Sequence, residues 1–290
     1  MTLRGPVLVG TDLSPAADEA LRQGARLARE LTSKLFVCHV VPELIPDGSV
    51  FAEFRRANLN VEDSVVAKAR AAVEAQVNTV LGAGTTVDVI LESGTPHVGL
   101  LTQADKTGAG VVVATPGSVA LDVARHASTA VLIARPSPDG PVVGATDFSD
   151  PSLPALHAAA AEARRRGSAL HLLHAFEIGL FTLGQAPAAA MPYLAGSSAI
   201  ALEGLDNLRA LAKQRLEDTL REVDLPGDTV VNAGFARDVI VRYAESVNAE
   251  VVVVGTHGRS GLARLTLGST AASVIESAPC SVLVVRLGVG

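Results

Sequence analysis

The sequence predicts an α/β protein made of two doubly wound, open parallel-sheet domains in tandem, related by a pseudo-twofold. Three observations lead there. The chain has 290 residues, about twice a common domain size. It repeats four landmarks in the same order. Within each repeat, short Val/Leu-rich runs alternate with longer helical patterns, which is the signature of parallel strands joined by crossover helices. The expected division is residues 1–138 and 139–290.

The landmarks are explicit. Pro6-Val-Leu-Val-Gly-Thr-Asp12-Leu-Ser14 matches Pro141-Val-Val-Gly-Ala-Thr-Asp147-Phe-Ser149 at an offset of 135. The run around His39 matches the run around His174 at the same offset. Val111-Val112-Val113 matches Val251-Val252-Val253 at an offset of 140, and Ala130-Val-Leu-Ile-Ala134 resembles Ser281-Val-Leu-Val-Val285. In the first copy strands are expected at 6–10, 35–41, 86–91, 110–114 and 130–134, with helices near 15–31, 61–81 and 95–107. Ser14-Pro15 reads as an N-cap followed by proline at the first helical position. In the second copy the first strand repeats before Asp147. It is followed by helix 152–166, strand 169–175, helix 203–223, strand 228–233, helix 236–247, strand 250–254, helix 269–277 and strand 281–285. Residues 178–202 are Ala/Gly/Pro-rich, fit no clean period, and read as a flap or packing arm.

Composition narrows the function. Apolar residues make up 48% of the chain and aromatics 3%, with no Trp, so the cores must be aliphatic, as suits parallel strands buried on both faces. A net charge of −6 argues against a nucleic-acid grip, and the one short basic run, Arg164-Arg165-Arg166, sits late in a helix where cations suit the dipole. Cys38 and Cys280 lie in apolar strand-like runs without metal-ligand spacing, so buried reduced thiols are expected. Neither a signal-like apolar core nor a stretch of about 18 apolar residues is seen, and the expectation is a soluble cytoplasmic protein away from membranes. His39 and His174 occupy equivalent strand positions and read as satisfied core or strand-end histidines. No P-loop, no dinucleotide fingerprint after either first strand, no pyrophosphatase Ser-Gly-Gly-x-Asp-Ser, no kinase loop and no Ser-His-Asp set is present.

Ligands in doubly wound sheets bind beyond the carboxyl ends of the strands, at the switch point, so functional residues are expected just after strands one, two and four of a copy. There the second copy reads Val254-Gly255-Thr-His-Gly258-Arg-Ser-Gly-Leu-Ala-Arg-Leu-Thr-Leu-Gly268-Ser269-Thr270, a G-x2-G-x9-G-S spacing between a buried strand and a helix. Glycines let the backbone approach an anion. The open N–H groups at a helix start favour phosphate. Asp147, just past strand one, is placed to accept ribose hydroxyl hydrogen bonds, with a helix-entry turn as its structural alternative.

The spacing, the Thr-Asp-Phe-Ser start and the ending Ala278-Pro279-Cys280-Ser281-Val282-Leu283-Val284-Val285 resemble the ATP-binding subgroup of the universal stress protein family. Both halves follow that layout, so the resemblance is to a tandem member with Rossmann-like, adenine-nucleotide-binding domains. It implies a site in which Asp147 contacts ribose or adenine and Ala145 lines the same pocket. Ala175, after the second strand, meets adenine through its backbone, and Val254 and Gly255 flank the nucleoside. Gly258, Gly268, Ser269 and Thr270 hold phosphates. His257 and Arg259 either touch a phosphate or face solvent, and Arg264 is a weaker phosphate candidate.

The first copy departs from the pattern. From Ala114 to Val131 is 17 residues, whereas Val254 to Val282 is 28, so eleven residues are missing where the phosphate loop would lie. The resemblance, with this length difference, implies one nucleotide per chain, ATP, with Mg²⁺ where the triphosphate brings it. Its expected role is stress-response signalling. The rivals are a slow ATP hydrolase using the same pocket, for which no general base is evident, and a non-binding scaffold. The family habit of pairing last strands implies that 130–134 and 281–285 pair inside one chain as a pseudo-dimer, with 178–202 a candidate surface for a homodimer.

Overall fold

A computed structural model of the chain describes residues 3–41, 59–149, 152–176, 191–256 and 267–286. Ten strands and eight helices are found among them. The first half runs β1 (Val7–Gly10), α1 (Pro15–Glu30), β2 (Leu35–Val41), α2 (Leu59–Leu81), β3 (Asp88–Ser93), α3 (Pro96–Thr107), β4 (Val111–Ala114), α4 (Ser118–His126) and β5 (Ala130–Ile133). The second runs β6 (Val142–Thr146), α5 (Leu153–Arg166), β7 (Leu170–Phe176), α6 (Met191–Val223), β8 (Gly227–Ala233), α7 (Ala236–Ser246), β9 (Val251–Gly255), α8 (Ser269–Ser277) and β10 (Ser281–Val285).

All ten strands form one sheet in the order β3-β2-β1-β4-β5-β10-β9-β6-β7-β8. Pairing is parallel within each half. The halves join through an antiparallel pair, β5 with β10, in the register Val131↔Val284, Leu132↔Leu283 and Ile133↔Val282. Helices α1, α2, α5 and α6 pack one aliphatic layer on one face, and α3, α4, α7 and α8 pack a second on the other; each layer runs through both halves. The central strands are buried along their length, save Gly255 at the end of β9, as their valine-rich runs require. On α1, Ala17, Ala20, Leu21, Gly24, Ala25 and Ala28 make the buried stripe. Gly24 is needed there because a Cβ would come within 2.2 Å of the Val9 side chain.

Three sequence expectations change. A nine-residue helix, α4, has no counterpart among the sequence expectations; its burial rests on Ala120, Val123 and Ala124, too small a stripe to stand out. Helix α6 starts at Met191, so 191–202 of the segment expected as a flap or arm has a helical backbone, and the rest of that segment lies outside the described residues. Pro192 is tolerated because the first helical turn has no N–H partner to lose. The Arg164–Arg166 run does end α5, but it is a junction rather than a solvated helix end. Arg165 pairs with Glu162 and, across the halves, with Glu30. Arg166 pairs with Glu162 (3.0 Å) and Glu250, which also takes Arg26 of the first half at 3.5 Å and the Ser168 hydroxyl at 3.1 Å. Arg164 donates to the Val223 carbonyl. Among the described residues, no helix is long and apolar enough to cross a membrane.

Candidate functional site

In each half the first and fourth strands pair only at their start and then separate. β6 pairs with β9 from Val142↔Val251 to Gly144↔Val253. Beyond that rung Ala145 and Thr146 stay with β7, opposite Leu173 and His174, while Val254 and Gly255 stay with β10, opposite Val284 and Val285. A crevice opens between Thr146 and Gly255. The first half does the same: β1 and β4 part after Val9↔Val113, Gly10 remaining with Cys38 and Ala114 with Ile133. These are the two switch points.

A duplicated turn forms one wall. Thr146 Oγ1 accepts the Phe148 N–H (2.9 Å), and Asp147 Oδ1 accepts the N–H (3.0 Å) and the hydroxyl of Ser149. In the first half Thr11 accepts Leu13 N–H (3.0 Å) and Asp12 accepts Ser14 N–H (2.9 Å). Phe148 and Leu13 both have positive φ, 61° and 65°. Such a backbone is uncommon outside glycine, and the side-chain bonds on either side hold it. His174 Nδ1 donates to the Thr146 carbonyl (2.9 Å) and His39 Nδ1 to that of Thr11 (2.8 Å), so both histidines brace the turn, and the tautomer carries its hydrogen on Nδ1. Asp147 is therefore a turn residue by one carboxylate oxygen, set at the lip of the crevice.

The floor is apolar. The side chains of Ala145, Val254 and Ala175 belong to the layer shared with α7 and α8. Ala175 lies within β7, one residue before its end, rather than after the strand. Val142 N–H donates to the Ala169 carbonyl at 2.9 Å. By the two-residue period of the ladder, Ala175 turns its amide and carbonyl to the same side, beyond the point where β6 has moved away.

The opposite wall is the start of α8. Gly268 caps it, and its own N–H donates to the Thr256 carbonyl at 2.7 Å, closing the loop's end onto β9. A Cβ at Gly268 would sit 3.2 Å from that carbonyl oxygen. The N–H groups of Ser269, Thr270 and Ala271 follow, which a helix leaves without intrahelical partners. Ser269 is exposed and Thr270 half-buried. Gly258, with His257, Arg259 and Arg264, lies outside the described residues. The latch between Gly268 and Thr256 was not foreseen, since a main-chain bond leaves no mark on sequence.

The first half shows what the length difference removes. Ser118 precedes Val131 by the same 13 residues that separate Ser269 from Val282, and α4 and α8 are each nine residues long. The eleven-residue difference therefore falls wholly between β4 and α4. The Leu100 side chain also fills the space a Cβ at position 10 would need, 2.9 Å away, where the second half has Ala145.

The model of the universal stress protein family matches residues 4–135 and 140–286. The chain belongs to the universal stress protein family. A universal stress protein of Mycobacterium tuberculosis is 29% identical over 315 aligned positions, covering 97% of this chain and 95% of that protein. Universal stress protein A homolog 2 of Coxiella burnetii is 35% identical over 83 residues, a match that spans 28% of this chain and 56% of the relative. The crystal structure of a universal stress protein from Archaeoglobus fulgidus superposes with a TM-score of 0.61 at 20% identity, covering 97% of this chain and 98% of that one. Two universal stress protein domains thus lie in tandem, sharing a turn, a crevice and a terminal helix, and differing in the loop before that helix.

Proposed function

We propose that the second universal stress protein domain, with the domain boundary at residues 138 and 139, binds ATP, one molecule per chain. Occupancy then biases the conformations or interactions of a cytoplasmic stress-response protein. The observation that carries this reading is a crevice at the β6–β9 switch point facing the open N-terminus of α8, in the half that keeps the glycine-spaced loop. The nucleoside would lie over Ala145 and Val254, between Asp147, Ala175 and Gly255. The phosphates would meet the N–H groups and hydroxyls of Ser269 and Thr270, with Gly258 and Gly268 letting the backbone come close. Gly268 would act by holding the helix start against Thr256, since its own N–H is engaged there. Among the described residues, no group of three or more His, Cys, Asp or Glu could hold a metal ion, so Mg²⁺ would ride on the phosphates and water.

The test is to denature purified protein, identify released nucleotide by mass spectrometry, and titrate the nucleotide-free protein with ATP in a calorimeter. ATP near one per chain supports the reading. ADP with steady turnover would favour the hydrolase. No nucleotide and no heat of binding would overturn it. Gly268→Val, whose Cβ would crowd the Thr256 carbonyl oxygen at 3.2 Å and whose side chain would narrow the approach to the helix start, is expected to weaken ATP binding by at least about tenfold; unchanged affinity would remove the helix start from the site.

A further inference from the structure

Two arginines outside the crevice are equivalent in the duplication and exchange partners across the domains. Arg135 follows β5 of the first domain, and its guanidinium donates to the carbonyls of Ile275 and Glu276 (3.5 Å for the latter), in the last turn of α8. Arg286 follows β10 of the second domain and donates to the carbonyls of Ala124 (3.0 Å) and Arg125, in the last turn of α4. Each domain thus caps the terminal helix of the other.

The two caps differ in what they supply. Helix α4 has Arg125 and His126 in its own last turn, whereas α8 has no basic residue there and carries Glu276. A carboxylate at a helix C-terminus opposes the dipole, and a cation favours it. The cation for α8 therefore comes from the first domain. Its main chain is fixed as well: Arg135 N–H donates to Ser281 Oγ (3.1 Å), and Gln23 Nε2 donates to the Arg135 carbonyl (2.9 Å). Nine residues make α8 about 13 Å long, so a tilt at its carboxyl end moves the amides at its amino end.

We infer that Arg135 is a positioning residue for the phosphate site of the neighbouring domain. It holds α8 from behind, so that the N–H groups of Ser269, Thr270 and Ala271 keep their aim into the crevice. This rests on the ATP reading of that crevice. It makes triphosphate affinity a property of both domains together, although one of them contributes no contact to the ligand.

The test compares Arg135→Met with Arg286→Met, measuring ATP and adenosine affinities by calorimetry and folding by thermal unfolding. Arg135→Met is expected to weaken ATP about fivefold or more while leaving adenosine, which has no phosphate for α8, within about twofold. Arg286→Met removes the equivalent link at the other helix and should leave both ligands within about twofold. Arg135→Lys, keeping the charge, should recover part of the loss. ATP affinity unchanged in Arg135→Met, ATP and adenosine weakened alike, or an equal loss in Arg286→Met would each overturn the inference. If Arg135→Met does not fold, Arg135→Lys is judged by the same split between ATP and adenosine. A parent protein that does not bind ATP would instead overturn the reading of the site, and this inference with it.

Discussion

Leu132 of β5 lies directly opposite Leu283 of β10 on the same face of the sheet, at the centre of the antiparallel pair that joins the two domains. Both side chains are buried almost completely, at 3% and 1% exposure. Truncating either to alanine leaves a cavity in a layer shared by both domains. Leu132→Ala and Leu283→Ala are each expected to cost about 2–5 kcal/mol. Because the two face each other, the double variant should depart from the sum by about 0.5 kcal/mol or more. Guanidinium unfolding of the four proteins measures this, and strict additivity would mean the pair is not in contact.

Asp12 and Asp147 make the same turn, so they separate structural from ligand effects. Alanine removes one local hydrogen bond at Asp12 and at least two at Asp147, so the stability loss should be about 0.5–1.5 kcal/mol at Asp12 and larger at Asp147. Only Asp147→Ala should also weaken ATP, by about tenfold or more. Equal ATP affinity in the two variants would leave Asp147 with the turn alone.

Burial pushes the Cys38 thiol up to about 12 and the Cys280 thiol up to about 11, the latter despite the opposing pull of Arg135. Little thiolate forms near neutral pH, and the nucleophile is the thiolate. A colorimetric thiol reagent at pH 8 should therefore find almost nothing in the folded protein and both cysteines in denaturant. Rapid labelling of the folded protein would contradict their burial.

His171 Nδ1 meets the Tyr243 hydroxyl at 2.8 Å, and its Nε2 lies 3.5 Å from Asp228. Burial pulls its pKa below the ordinary 6.5, with Asp228 pulling weakly the other way. As pH falls below 6.5 the unfolded chain takes up the proton first, so stability is lost on acidification and regained as pH rises. Denaturant midpoints at pH 7.5 and 5.5 should therefore differ more in the parent than in His171→Gln. The same difference in both would remove His171 as a source of the pH response.

The duplication and the alternation of strand and helix were legible because valine runs and the Thr-Asp turn recur at fixed offsets. The Gly268-Ser269 start of α8 was legible from its glycine spacing, and His39 and His174 as satisfied core or strand-end histidines. Helix α4 was not, since alanines carry much of its burial and leave a faint stripe. The start of α6 was hidden by Pro192, Gly196, Ser197 and Ser198, which weigh against a helix locally. Arg165 and Arg166 looked like helix-end cations because their partners Glu30 and Glu250 are distant in sequence. Arg135 and Arg286 form no basic cluster and emerge as a pair only when the two last strands are aligned at an offset of 151.

The eleven residues that separate the two loops have a consequence for symmetry. A partnership of two identical chains must lengthen or shorten a loop in both copies at once. Covalent fusion through a single sheet lifts that obligation. The first domain has the shorter loop and sets Leu100 against Gly10, while its scaffold shares both buried layers with the other. A change around Gly10 and Leu100 can then alter the first domain without imposing the same change on the second.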